Sequence, residues 1–401
     1  MAARSFGWAG AARALTAIGN VGRYAFFARL LTPYDFGVTT MALLTLDMLF
    51  AFTNTSFDRS LIQQQEEIEP FLDTVWVTTV VRGVVLAIVL IAGARVFAGL
   101  FRQSEASIVF CAVAPMALLR GVQSPAAVSM FRRFDFRIAL VLNAAELIGG
   151  LAIGTPGILY WGDWRGLVAA VLGGQACRTG LTHWYFPYRP HMRFDRARFT
   201  QMFAFGRWNT GTSLAEFAAQ QIDNFVVAHV LGPQAVGDYQ TAFRVGEMPV
   251  SELAFSASLV TFPMASRLSG RKDARQRLFF YTTGAVVVAG VLYAVVVLKA
   301  GHEIIRVILG AQWLGSLAPA RWLCFYGLFQ GLLILGRSFL DGIGTPASSF
   351  NMTMVRVAVL GAAIYPLTHR YGTSGAAAAA LLSVIAPVPL MLMLYRKAEA
   401  R

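Results

Sequence analysis

Four carboxylates lie deep in apolar runs of the sequence: Asp47, Glu216, Asp223 and Glu247. Four arginines lie there too, Arg23, Arg82, Arg178 and Arg244, with the amides of Asn20 and Gln220 among them. A charge at the centre of a bilayer costs about 2.5–3.5 kcal/mol even on the lenient insertion scale, so such groups face a wet cavity or pair with one another. Arginine presents a planar fork of donors that grips phosphate bidentately. The arginines, with Asn20 and Gln220, are therefore candidates for holding an anionic ligand. The acids are candidates for gating, or for carrying protons or sodium. Helical spacing groups several of them. Asn20, Arg23 and Phe27 share one face at i, i+3 and i+7, and Glu216, Gln220 and Asp223 share another at i, i+4 and i+7. Plain helix pairing competes with this reading at Arg244–Glu247 and Arg337–Asp341. Arg29, Arg165 and Arg356 stand near the ends of apolar segments and read as arginines that snorkel to the interface.

Catalytic chemistry finds no foothold. The chain has no P-loop, no HExxH and no GxSxG, and its five histidines, His183, His191, His229, His302 and His369, stand singly. Cys111, Cys177 and Cys324 form no CxxC pair and have no nearby histidine, which argues against a disulfide framework or a zinc site. The loops are at most about a dozen residues, too short to fold an active-site domain. No enzyme activity, cofactor or metal is expected. Without an ATP site, work must draw on an ion gradient, the membrane potential or substrate flux.

The elements that carry these residues follow from composition. The chain has 401 residues, of which 56% are hydrophobic and only 14% charged. A soluble globule keeps about a quarter of its residues charged, so this chain needs lipid as solvent. The net charge of +13 then has too little polar surface to serve nucleic acid, and reads as loop arginine that orients membrane helices. A spanning helix takes about 20 apolar residues. Twelve segments qualify, at roughly 6–31, 35–57, 72–99, 105–129, 136–160, 163–186, 201–231, 235–264, 278–300, 313–338, 346–368 and 372–395. The expected fold is all-α and polytopic. The segments 105–129 and 313–338 carry Pro115 with Arg120, and Pro319 with Arg321. Arg13 and Arg23 interrupt the first segment, which reads as a retained helix and not a cleaved signal. With the N-terminus in the cytoplasm, most loop arginine and lysine falls inside, which places both termini there.

The polar stretch Tyr188–Arg198 halves the chain. This gives an N-lobe at 1–186, a linker at 187–199 and a C-lobe at 200–401. Leu31-Thr-Pro33-Tyr-Asp-Phe-Gly37 matches Leu231-Gly-Pro233-Gln-Ala-Val-Gly237 at an offset of 200 residues, which also aligns Trp8 with Trp208, Ala28 with Ala228 and Ala42 with Ala242. Six helices separate the copies, so both keep the same membrane orientation, as in two-lobed transporters. The register sets Arg23 opposite Asp223, Asn20 opposite Gln220 and Asp47 opposite Glu247. These pairs suggest a central cavity between two six-helix lobes.

Two patches resemble a known family. Phe26–Gly37 with Ser60-Leu-Ile-Gln-Gln64, and Gln221–Tyr239 continuing to Ala242-Phe-Arg244, are similar to signatures of Wzx-type polysaccharide flippases of the multidrug/oligosaccharidyl-lipid/polysaccharide exporter superfamily. Phe262-Pro263 and Ser266-Arg267-Leu268 fit the same family. The resemblance implies two six-helix lobes around a cavity and alternating access. It implies movement of an undecaprenyl-diphosphate-linked oligosaccharide from the cytoplasmic to the periplasmic leaflet of a bacterial inner membrane. Asp223 matches the family's acid in the seventh helix, whereas Arg23 and Asp47 match by position alone. The chain leaves no room for a thirteenth and fourteenth helix. The resemblance also implies a polymerase and a chain-length regulator as pathway partners, and a monomeric protein. A multidrug extruder of the same superfamily is the first alternative. An O-antigen ligase or polymerase is the second, and the absence of a large loop speaks against it.

Overall fold

The computed structural model describes residues 2–54, 57–63, 67–132, 136–268, 272–343 and 346–400. No strand occurs among the described residues. The first ten helices are α1 (Ala2–Leu30), α2 (Pro33–Phe52), α3 (Phe57–Gln63), α4 (Glu69–Ala92), α5 (Ala94–Leu100), α6 (Ser107–Val113), α7 (Pro115–Val122), α8 (Ser129–Arg132), α9 (Phe136–Trp161) and α10 (Trp164–Tyr185). The remaining seven are α11 (Arg196–Leu231), α12 (Pro233–Gly246), α13 (Met248–Arg267), α14 (Lys272–Ile308), α15 (Leu317–Gly342), α16 (Pro346–Ile385) and α17 (Pro387–Ala400). The chain divides into two compact units, Met1–Phe217 and Ala218–Arg401. The boundary falls inside α11, so Gln220 and Asp223 belong to the second unit.

Among the described residues, six stretches are long and apolar enough to cross a bilayer: Pro33–Phe52, Glu69–Ala92, Arg137–Trp161, Asp273–Ile308, Ala311–Gly342 and Ser349–Tyr395. This is a multi-pass membrane protein. Large apolar side chains point outward, among them Ile88, Ile91, Val288 and Leu292. Such an exterior is costly in water and favourable in lipid. The longest stretch bends at Gly372, whose φ of 61° joins two helices inside α16 and separates the two segments expected there.

Prolines explain the interruptions. Pro115 opens α7 directly after α6, dividing the fourth expected segment. Pro319 falls in the first turn of α15, where a missing N–H costs little, so that segment stays one helix. Pro249 divides the eighth segment into α12 and α13, with Glu247 at the break. Lacking an N–H, Pro249 leaves the carbonyl of Val245 without its helical donor. The hydroxyl of Tyr293 on α14 donates to that carbonyl. Broken helices are tolerated at membrane depth where a neighbour satisfies the backbone in this way.

The first hairpins of the two units share a proline start and buried alanines, but only the first is capped by a side chain. Both second helices open on proline, Pro33 and Pro233. Ala28, Ala42, Ala228 and Ala242 are all fully buried. Thr32 caps α2: its backbone N–H donates to Asp35 Oδ2 at 3.0 Å and its hydroxyl accepts from the Asp35 N–H at 3.4 Å. Asp35 Oδ1 also accepts from the N–H of Trp164 at 3.1 Å, which ties α2 to the start of α10. The side chains of Trp8 and Trp208 lie outside the described residues.

Candidate functional site

In the first unit, α4 and α7 cross at two glycines. A Cβ added to Gly83 would lie 2.6 Å from the carbonyl oxygen of Ala117 and 3.2 Å from the Cα of Gly121. Only a residue without a side chain fits such a crossing. The residue before each glycine is an arginine, Arg82 and Arg120, and the crossing brings both to the end of α2. Their guanidiniums lie 5.0 Å and 5.3 Å from the centroid of the Phe50 ring. Arg120 Nη1 donates to Asp47 Oδ1 at 2.6 Å, and Arg82 Nη1 donates to the carbonyl of Thr53 at 3.3 Å. Asp47 and Phe50 lie one turn apart on α2, and Thr53 caps its C-terminal end. The cluster remains accessible, with 32% of the Arg120 side chain and 46% of the Asp47 side chain exposed.

A second group joins α1, α9 and α10. Arg178 Nη1 donates to Asn143 Oδ1 at 2.7 Å and to Glu146 Oε2 at 3.0 Å. Arg23 reaches α9 at Gly150, where an added Cβ would stand 2.8 Å from its Nη1. Asn20 is half-buried one turn earlier on α1. Arg23 and Arg178 thus both meet α9, and Arg178 is engaged there by a carboxylate.

The second unit holds a half-open polar chamber of about 170 Å³ between α11, α12, α15 and α16. Gln220, Asp223, Asn224, Gln240, Tyr326 and Arg356 are among its walls. Asp223 is only 5% exposed. It accepts from the Tyr239 hydroxyl at 3.1 Å and from the Asn224 N–H at 2.8 Å. Gln240 Nε2 donates to Asn224 Oδ1 at 2.6 Å, and Asn224 Nδ2 donates to Gln221 Oε1 at 3.1 Å. Arg356 donates to the Tyr326 hydroxyl at 2.7 Å and to Gln330 Oε1 at 3.4 Å.

The outcome for the other candidates is mixed. Glu247 stands at the α12–α13 break and not on the chamber wall. It accepts from the Ser251 hydroxyl, and its backbone lies against α15, where a Cβ on Gly327 would stand 3.0 Å from the Glu247 Cα. Arg244 is half-buried a turn earlier on α12, also off the wall. Glu216 lies on α11, but its side chain is outside the described residues. Asp341 accepts from the Ser349 hydroxyl at 2.6 Å. Arg356 corrects the snorkelling expectation: it points into the second unit toward Tyr326 and lines the chamber. Arg120 was legible as a charge inside an apolar segment that must face a cavity or find a partner, but was not among the expected anion-binding arginines. The Arg-Gly pairs Arg82-Gly83 and Arg120-Gly121, each inside an apolar helix, were the signal available. Among the described residues, no three His, Cys, Asp or Glu side chains gather as a metal site.

The fold has known counterparts. The chain superposes on the lipid II flippase MurJ in an inward closed conformation with a TM-score of 0.82 and 16% identity, covering 98% of this chain and 89% of that one. It superposes on an inward-facing multidrug resistance MATE family transporter of the MOP superfamily with a TM-score of 0.74 and 14% identity, covering 96% and 95%. The chain shares the fold of these two proteins. Residues 26–318 match the family described as polysaccharide biosynthesis protein, and the chain belongs to that family. It is 20% identical over 335 residues to the lipopolysaccharide biosynthesis protein WzxC of Escherichia coli (strain K12), covering 82% of this chain and 65% of the relative. It is 25% identical over 352 residues to the succinoglycan biosynthesis transport protein ExoT of Rhizobium meliloti (strain 1021), covering 84% and 69%. The chain spans about two thirds of the length of these curated relatives.

Proposed function

We propose that this chain is a flippase of polysaccharide biosynthesis. It moves a diphosphate-linked, undecaprenyl-borne oligosaccharide from the cytoplasmic to the periplasmic leaflet of a bacterial inner membrane by alternating access, with both termini in the cytoplasm. The membership in the polysaccharide biosynthesis family and the MOP fold support a transporter and not an enzyme. The carrying observation is the convergence of Arg82 and Arg120 on Phe50. Two guanidinium forks gathered at one ring, with the Arg120 side chain 32% exposed, suit a diphosphate, which offers each of them a phosphate to grip bidentately. Arg23 and Asn20 on α1 extend this reading as further anion contacts. Arg178, engaged by Glu146, serves to hold α9 and α10 together. Asp47 balances Arg120 until substrate arrives. Asp223 and Glu247 are the gating or coupling acids. A polymerase and a chain-length regulator are the expected pathway partners, and the transporter acts as a monomer.

The test is complementation in a strain lacking its polysaccharide flippase, with membrane insertion checked for each variant. Wild type is expected to restore polymer, and Arg82→Ala/Arg120→Ala to lose it while inserting normally. Wild-type polymer from that double variant overturns the assignment of the anion site.

A further inference from the structure

The second-unit chamber holds an acid and a base that do not touch. Asp223 spends its two oxygens on the Tyr239 hydroxyl and the Asn224 N–H. Arg356 spends two nitrogens on neutral partners, Tyr326 and Gln330. Its Nε is buried without a hydrogen-bond partner. Both side chains nonetheless line the same small chamber. The positive field of Arg356 acts on the carboxylate of Asp223 and also on that of Glu247. The other chamber groups near Asp223 are amides and hydroxyls. Their oxygens are the hard donors that alkali and alkaline-earth cations prefer. Apart from Arg356, the chamber would therefore be a plausible cradle for a small metal cation, with Asp223 supplying the charge.

We propose that Arg356 is a tethered counter-cation that fills the cation position of this chamber, so that the chamber takes no sodium or other alkali ion. A buried carboxylate needs a positive partner. The protein provides one on α16, held in place by Tyr326 and Gln330. A second, mobile cation entering the chamber would meet the guanidinium's charge at short range in a poorly screened interior. The inference rests on the reading of Asp223 as a coupling acid and narrows it. If the transporter is ion-coupled through this chamber, the ion is a proton. Asp223 is the chamber acid able to receive it, and Arg356 is the charged group that shares the chamber with it. Glu247, with Arg244 a turn before it on α12, stands off the chamber wall.

The experiment is thermal unfolding of the purified full chain in sodium chloride against choline chloride at equal ionic strength. Wild type is expected to unfold at the same temperature in both salts. Arg356→Lys, which keeps the charge, is expected to behave likewise. Arg356→Gln vacates the cation position and adds an amide oxygen, and is expected to gain a sodium-specific rise of about 2 °C or more. Should Arg356→Gln fail to fold, Asp223→Asn/Arg356→Gln removes both charges and is expected to fold and ignore sodium. A sodium-specific rise in wild type overturns the proposal, as does an Arg356→Gln protein that folds and ignores sodium. Failure of the double variant to fold overturns it as well. The measurement uses no transport, so a failed complementation by wild type would reject the flippase reading and leave this result standing.

Discussion

Arg120 and Asp47 stand 73 positions apart in the chain and meet at 2.6 Å. The contact joins α7 to α2 and turns one of two neighbouring guanidiniums toward an acid. A structural pair and a substrate-releasing pair would look alike here, and exchanging the charges separates them. Asp47→Arg/Arg120→Asp is expected to restore the thermal stability lost by either single change, since the attraction is rebuilt in reverse. It is not expected to restore polysaccharide in the complementation assay, because the arginine has moved off α7. Recovery of both readouts would make the pair purely structural.

The α4–α7 crossing sets the position of both arginines. Gly83→Ala places a methyl 2.6 Å from a backbone oxygen that cannot rotate away. The expected cost is about 1–3 kcal/mol of stability. It should be read by thermal or denaturant unfolding, together with reduced function even in protein that inserts. Gly99, whose Cβ would meet nothing within 4 Å, is the matched control, and Gly99→Ala is expected to leave stability nearly unchanged.

Tyr293 and Pro249 form a testable couple. Tyr293→Phe leaves the Val245 carbonyl without a donor and is expected to cost about 1–3 kcal/mol, the penalty of an unsatisfied buried polar group. Pro249→Ala restores a backbone N–H at the position that would normally serve that carbonyl. In the Pro249→Ala background the same Tyr293→Phe change should therefore cost clearly less. Equal costs in both backgrounds would show that the hydroxyl does not compensate for the proline.

The segment after α10 is strapped to the start of α4. The Tyr188 hydroxyl and the His191 N–H both donate to Asp73 Oδ1, the latter at 3.1 Å. Burial, and then the Asp73 carboxylate, push the Tyr188 phenol above its ordinary value of 10.0. A phenol raised on folding adds stability that is fully present below about pH 10 and fades as the pH rises further. Limited proteolysis within 188–195 is expected to accelerate at strongly alkaline pH in wild type. Tyr188→Phe should cleave faster at neutral pH and show less of that alkaline change.

Helices, the break at Pro115 and the repeated hairpin were legible because they rest on local chemistry, whereas the segment 235–264 read as one helix and its break at Pro249 was missed. Pro115 and Pro249 sit in the sequence at the places where the helices divide. The partners of the charges were not legible, because a side chain's position along its own segment does not reveal the helix it faces. Arg356 lies at the middle of the segment 346–368, about a dozen residues from either end, so the snorkelling expectation set it too close to water. Packing of α16 against α15 turns it toward Tyr326 instead. The offset of 200 residues aligned Asp47 with Glu247, yet one meets an arginine and the other a serine, because Pro249 breaks α12 from α13 while α2 runs on unbroken.

The most direct measurement of the central claim is flipping in vesicles. The purified chain is reconstituted with a labelled undecaprenyl-diphosphate oligosaccharide, and the fraction of label moved between leaflets is followed with a membrane-impermeant quencher. Wild type is expected to move the label well above empty vesicles, and the Arg82→Ala/Arg120→Ala protein to stay at the empty-vesicle level. Wild-type vesicles that match empty ones, or a double variant that flips as fast as wild type, would contradict the account.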